Sequence, residues 1–158
     1  MVPGSDEEFV VFVRKTEPKL RRALVAAAGG QRGREAACEA LEYAWENWDR
    51  VKAMDNPAGY LYRVGRSRAF KKPQPNPVLF FPDTAVSGGE MPWVEPGLPG
   101  ALAALTERQR VSVLLVHGQQ WTLTEVAGLL SLSPGAVQKH AQRGLAKLRI
   151  TLGGLAHA

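Results

Sequence analysis

Thr122-Leu-Thr-Glu125-Val-Ala-Gly-Leu-Leu130-Ser-Leu-Ser133-Pro-Gly-Ala-Val137-Gln-Lys-His-Ala141-Gln-Arg-Gly-Leu145 reads as two helices and the turn between them. Thr122 and Glu125 stand at capping-box spacing, and Val126, Ala127, Leu129 and Leu130 supply the apolar face of a short helix. Ser131-Leu132-Ser133-Pro134 then gives a tight turn, a serine N-cap and a proline at the first helical position. The second helix predicts Val137, Ala141, Leu145 and Leu148 inward, with Gln138, Lys139, Gln142 and Arg143 outward. Ala127 is small where the helices must approach, Leu132 plugs the core from the turn, and Val137 anchors the second helix. A helix-turn-helix results, its second helix free to enter a major groove about 12 Å wide. No Asp or Glu occurs from Ser131 onward, so this face attracts phosphate.

Upstream, Thr106-x-x-Gln109 is a capping box opening a helix with Val111, Leu114 and Leu115 inward, ending near Gly118. Between Pro73 and Pro99 lie seven prolines, a density that excludes a packed helix and marks a flexible linker. Val78-Leu79-Phe80-Phe81 and Trp93 are apolar for a free tether and are expected to pack on a domain or a partner. Before the linker, Ser5-x-x-Glu8 predicts a capping box starting a helix that Gly29-Gly30 stops. A second helix is expected over about 32–51, carrying Ala37, Leu41, Ala44, Trp45 and Trp48 at helical spacing. Asp55-Asn56-Pro57 restarts the chain into a third, about 57–72, mixing Tyr60, Leu61, Val64 and Phe70 with a row of Arg and Lys. The expected architecture is all-α: two small helical domains, 1–72 and 98–158, joined by a Pro-rich acidic linker over 73–97.

The net charge of +5 is unevenly laid out. Residues 1–72 hold 14 Lys/Arg against 10 Asp/Glu, and 98–158 hold 6 against 2. The intervening stretch has only Asp83, Glu90 and Glu95. Two basic ends suit a polyanionic partner. Cys38 is the single cysteine, which excludes an internal disulfide and a cysteine-cluster zinc site; lacking a nearby His in sequence, it is expected to be buried. His117, His140 and His157 lack the i,i+4 partners of a metal-binding helix, and Gly29-Gly30…Gly33 is followed by no Gly-Lys-Ser/Thr. No metal, cofactor or catalytic residue is expected. The N-terminus has no apolar signal core and the longest apolar runs are too short for a bilayer, so a cytoplasmic protein without membrane insertion is expected.

The run Leu102…Leu105-Thr-Glu-Arg108-Gln109-Arg110, then Gly118, Glu125-Val126-Ala127, Leu129-Leu130, Ser133, Val137 and Arg143…Leu148-Arg149 resembles the −35-binding domain of extracytoplasmic-function sigma factors. Asn56-Pro57…Tyr60-Leu61-Tyr62-Arg63-Val64…Arg66 is similar to the helix that family sets beside the melted −10 element, with the flipped-base loop at 51–56. The resemblance implies a sigma factor: a non-enzymatic subunit that brings core RNA polymerase to promoter DNA and is itself held by an anti-sigma factor. It assigns −35 contacts to Ser133, Gln138, Lys139, His140, Gln142 and Arg143. It assigns −10 contacts to Asp55, Asn56, Tyr60, Arg63, Arg66, Ser67 and Lys71, and polymerase contacts to Glu35, Glu39 and Leu41. The chain departs from the family at Gly65 and Gly144, where Ala is usual, at Ser67 (Asn), Ala136 (Thr) and His140 (Arg). Leu105–Arg108 and His140 also resemble LuxR-type regulators, though the 72 residues in front are too few for their receiver or ligand domains. A sigma-like antagonist that binds without melting promoters is the other reading.

Overall fold

The computed structural model describes residues 4–71 and 96–156, and every regular element among them is helical. The linker reading of 73–97, including Val78–Phe81 and Trp93, lies almost wholly outside the described residues. The first helix, α1 (Ser5–Ala28), has Asp6, Glu7 and Glu8 in its first turn, where the helix dipole favours negative charge. Its N-cap is Gly4 and not Ser5. Ser5 is the first helical residue and nearly buried, so the expected capping box does not form.

Gly29, with φ near 97°, takes a conformation that side chains resist. It turns the chain directly into α2 (Gly30–Glu46), its N–H donating to the Val25 carbonyl at 2.8 Å. Alanines line the closed end of this hairpin: Ala26, Ala27 and Ala28 face Ala36, Ala37 and Ala40, all buried. Small residues let the backbones converge there. At the open end, Phe9 meets Trp45 and Trp48 with ring centres 4.9 and 5.2 Å apart, and Phe12 meets Trp48 at 5.1 Å.

The second helix stops five residues earlier than its apolar pattern suggests. Asn47 donates both its backbone and its side-chain N–H to the Tyr43 carbonyl, each at 3.0 Å, and the chain restarts as α3 (Trp48–Lys52). Asn56 then caps α4 (Pro57–Ala69), its side chain accepting from the Gly59 N–H at 3.1 Å. Leu61 and Tyr62 are buried from this helix, and Phe70 beyond its end is exposed. Cys38, expected in the core, lies exposed on α2, because Ala37 and Ala40 take the inward positions.

In the second described stretch, α5 (Leu98–Ala103) leads to Thr106, whose capping box with Gln109 is complete: each side chain accepts the other's backbone N–H at 3.2 Å. The helix it opens, α6 (Glu107–Val113), widens into a π-turn over Leu114–Gly118. Two further helices, α7 (Leu123–Leu130) and α8 (Pro134–Ala156), complete the fold. No described helix is long and apolar enough to cross a membrane.

The two helical regions pack on each other, and their buried side chains form one continuous core. Gly65 and Gly144 are explained by packing. A Cβ at 65 would stand 2.6 Å from the Leu24 Cδ1 atom, and one at 144 would stand 2.6 Å from a Val113 methyl.

Candidate nucleic-acid interface

Three local devices build the helix-turn-helix. Thr122 Oγ1 accepts the Glu125 N–H at 3.1 Å and fixes the start of α7. Ser131, in the left-handed conformation at φ 57°, ends it, and the Leu132 N–H returns to the Ala127 carbonyl at 3.0 Å. Ser133 Oγ accepts the Ala136 N–H at 3.1 Å and opens α8. Ala127 and Val137 are buried where the two helices meet.

That framework leaves Ser133, Gln138, Lys139, Gln142 and Arg143 exposed along α8, with His140 half-buried among them. Glutamine side chains can pair with base edges, and Lys139 and Arg143 can reach phosphate or guanine. Partial burial, helped by the charges of Arg108 and Arg143, holds the His140 imidazole below the usual histidine range. The lowered pKa favours the uncharged ring.

The expected −10 residues come together on α4 and the loop before it. Asp55, Asn56, Arg63, Ser67 and Lys71 are exposed and Tyr60 is half-buried. Two neighbours that sequence reasoning missed join Tyr60. The Tyr43 hydroxyl lies 3.1 Å from that of Tyr60, Arg50 donates to both, and the guanidiniums of Arg50 and Arg63 lie over the rings of Tyr43 and Tyr60. Aromatic rings beside guanidiniums suit unpaired bases and their phosphates.

Arg66 is not free. Its guanidinium grips Glu107 with two donors, at 2.5 and 2.6 Å, and this ion pair raises its pKa further. Tyr62, buried beside this pair, has its phenol raised by burial first and by the Glu107 charge second. Asn56 Nδ2 donates to the Gly128 carbonyl at 2.6 Å, so the loop before α4 touches α7.

Of the expected polymerase contacts, Glu35 and Glu39 are exposed on one ridge of α2, with Glu39 3.8 Å from Arg68. Leu41 falls off that ridge and is half-buried against the core. Glu42 and Glu46 continue the acidic line, and Trp45 beside them is 40% exposed. Alternating helical steps of four and three from Glu35, through Glu39, would have found them. No group of metal-ligating side chains occurs among the described residues.

The geometry defines a helix-turn-helix protein with a second basic surface on α4. Residues 98–148 match the family model described as sigma-70, region 4. Its fold is similar to that of the sigma factor RpoE, solved in complex with the anti-sigma factor NepR from Bartonella quintana. The TM-score is 0.61 at 14% identity, over 93% of this chain and 98% of that one. No curated protein sequence matches the chain.

Proposed function

We propose that this chain is a sigma factor of the extracytoplasmic-function type, which binds core RNA polymerase and directs it to promoters. The observation that carries the reading is the exposed, acid-free face of α8 on a complete helix-turn-helix within the region 4 match. Ser133, Gln138, Lys139, His140, Gln142 and Arg143 read the duplex −35 element. Asp55, Asn56, Tyr60, Arg63, Arg66, Ser67 and Lys71 hold the −10 strand, and the α2 ridge with Glu35 and Glu39 meets the polymerase. The chain itself does no chemistry and works in the cytoplasm. Domains 1–72 and 98–158, tied by 73–97, bind the two elements together. An anti-sigma factor is the proposed restraint, as NepR is the partner of RpoE in the similar structure.

Reconstituted transcription with core polymerase on genomic DNA tests this reading, and protein-dependent transcripts from defined starts are expected. On such a promoter, Lys139→Ala and Arg143→Ala are each expected to weaken binding about tenfold, since lost contacts of this kind cost about 1–3 kcal/mol. Ala146→Ser, exposed on the same helix, is the control expected to change nothing. Permanganate reactivity of promoter thymines reports opening. Polymerase binding without opening on any promoter would replace this reading with the antagonist one.

A further inference from the structure

The residues that join the two helical regions are partly those proposed to hold the −10 strand. Arg66, in the middle of the α4 basic row, has both oxygens of Glu107 on its guanidinium. Asn56, in the proposed base-capturing loop, gives its side-chain N–H to α7. A carboxylate on a two-pronged arginine offers the same geometry as a DNA phosphate. From this shared geometry we propose that Glu107 acts as an internal phosphate mimic, latching the C-terminal region over the −10 surface until nucleic acid displaces it. The inference rests on the sigma-factor reading and adds to it a closed state encoded in the chain's own residues.

Three features support a latch over a chance surface pair. The pair is bidentate, and Glu107 is only 22% exposed while Arg66 remains half-exposed, so the carboxylate is the shielded partner and the guanidinium the accessible one. Phe70 is exposed beneath the same guanidinium, with the Arg66 carbon 5.4 Å from its ring centre, which keeps the arginine oriented after Glu107 leaves. Glu107 is also the first residue of α6, immediately after the complete Thr106 capping box, so its backbone is fixed while its side chain reaches across to α4. Opening exchanges one anion for another on Arg66, which offsets part of the cost of parting the shared core. A ligand that binds only the open state sees an affinity reduced by the open fraction.

The experiment uses the full chain and a fluorescein-labelled, 15-nucleotide single-stranded DNA of mixed A and T as probe. Glu107→Gln removes the charge and keeps the size; Glu107→Ala removes the remaining amide contact as well. Both are expected to tighten the probe threefold to fivefold, on the order of what a partly exposed ion pair contributes. In parallel, spin labels on the native Cys38 and on an Ala146→Cys substitution, both exposed, report the separation of the two regions. The wild-type distance distribution is expected to be short and single, and both Glu107 variants are expected to add a longer component.

The Arg66→Ala background separates the latch from a general charge effect. There the Glu107 substitutions are expected to give no gain, because the cation they release is absent. An equal gain with and without Arg66 overturns the proposal, since removing any negative charge would then suffice. Unchanged distances and unchanged affinity in both Glu107 variants also overturn it, while wild-type binding to promoter and polymerase would leave the sigma-factor reading standing. If the variants open but no form of the chain binds the probe, core polymerase or promoter DNA, the latch and the reading beneath it both fail.

Discussion

Gly33→Ala is expected to cost about 3 kcal/mol or more, toward the top of the range for overpacking a dense core. A Cβ at 33 would stand 2.5 Å from both the Val25 Cα and the Val25 N, and 2.7 Å from the Leu24 carbonyl carbon. These are backbone atoms of the last turn of α1, which cannot rotate aside as a side chain can. The chain turns from α1 to α2 through Gly29 alone, so neither helix can retreat without opening the alanine-lined end of the hairpin. For a chain of this size, about 3 kcal/mol lowers the melting temperature by roughly 6–12 °C. Gly128→Ala on α7 is the control. Nothing lies within 4 Å of its added methyl, and alanine favours helix by about 1 kcal/mol, so a small gain is expected. Thermal melts followed by circular dichroism decide it, and a Gly33→Ala protein that melts with the wild type would mean the α1–α2 joint is looser than drawn.

Much of the C-terminal region was legible in the sequence because its signals are local. Thr106, Thr122 and Ser133 each act on an N–H three residues away, so spacing alone identifies them. The same logic failed at Ser5, where Gly4 in a left-handed conformation supplies the helix start and leaves the serine nothing to cap. It also missed the break at Asn47, since an apolar face that continues through Trp48 says nothing about one side chain competing for a carbonyl. Glu107 and Arg110 were visible only as members of a family-like run. Their partners are Arg66 and the carbonyls of Ala26 and Ala27, about forty and eighty positions away, and no periodicity connects them. Gly65 and Gly144 looked like departures from a pattern until the neighbouring Leu24 and Val113 showed that the space for a methyl is already filled.

Arg110→Met is the second substitution expected to have a large effect, because this arginine completes a helix end in the other helical region. The last turn of α1 contains no basic residue and is buried, which leaves terminal carbonyls that must find donors inside the protein. Arg110, only 7% exposed, supplies them from α6. Its Nε donates to the Ala26 carbonyl at 2.9 Å, one terminal nitrogen to Ala27 at 2.7 Å and the other to Leu105 at 3.3 Å. Burial lowers its pKa, but a guanidinium keeps its proton and the helix dipole favours a cation at this end. Methionine would fill the volume and satisfy none of the three carbonyls. With buried groups left unpaired at about 1–3 kcal/mol each and some relaxation, the expected loss is on the order of 3 kcal/mol. Arg110→Lys keeps the charge but not the fork, so it is expected to recover less than half of that. Urea denaturation measures both. A loss below about 0.5 kcal/mol for Arg110→Met, the usual range for surface substitutions, would show that the two helical regions spend most of their time apart in solution. The Glu107 latch would then have nothing to hold, so this measurement on Arg110 also constrains the state in which Arg66 awaits DNA.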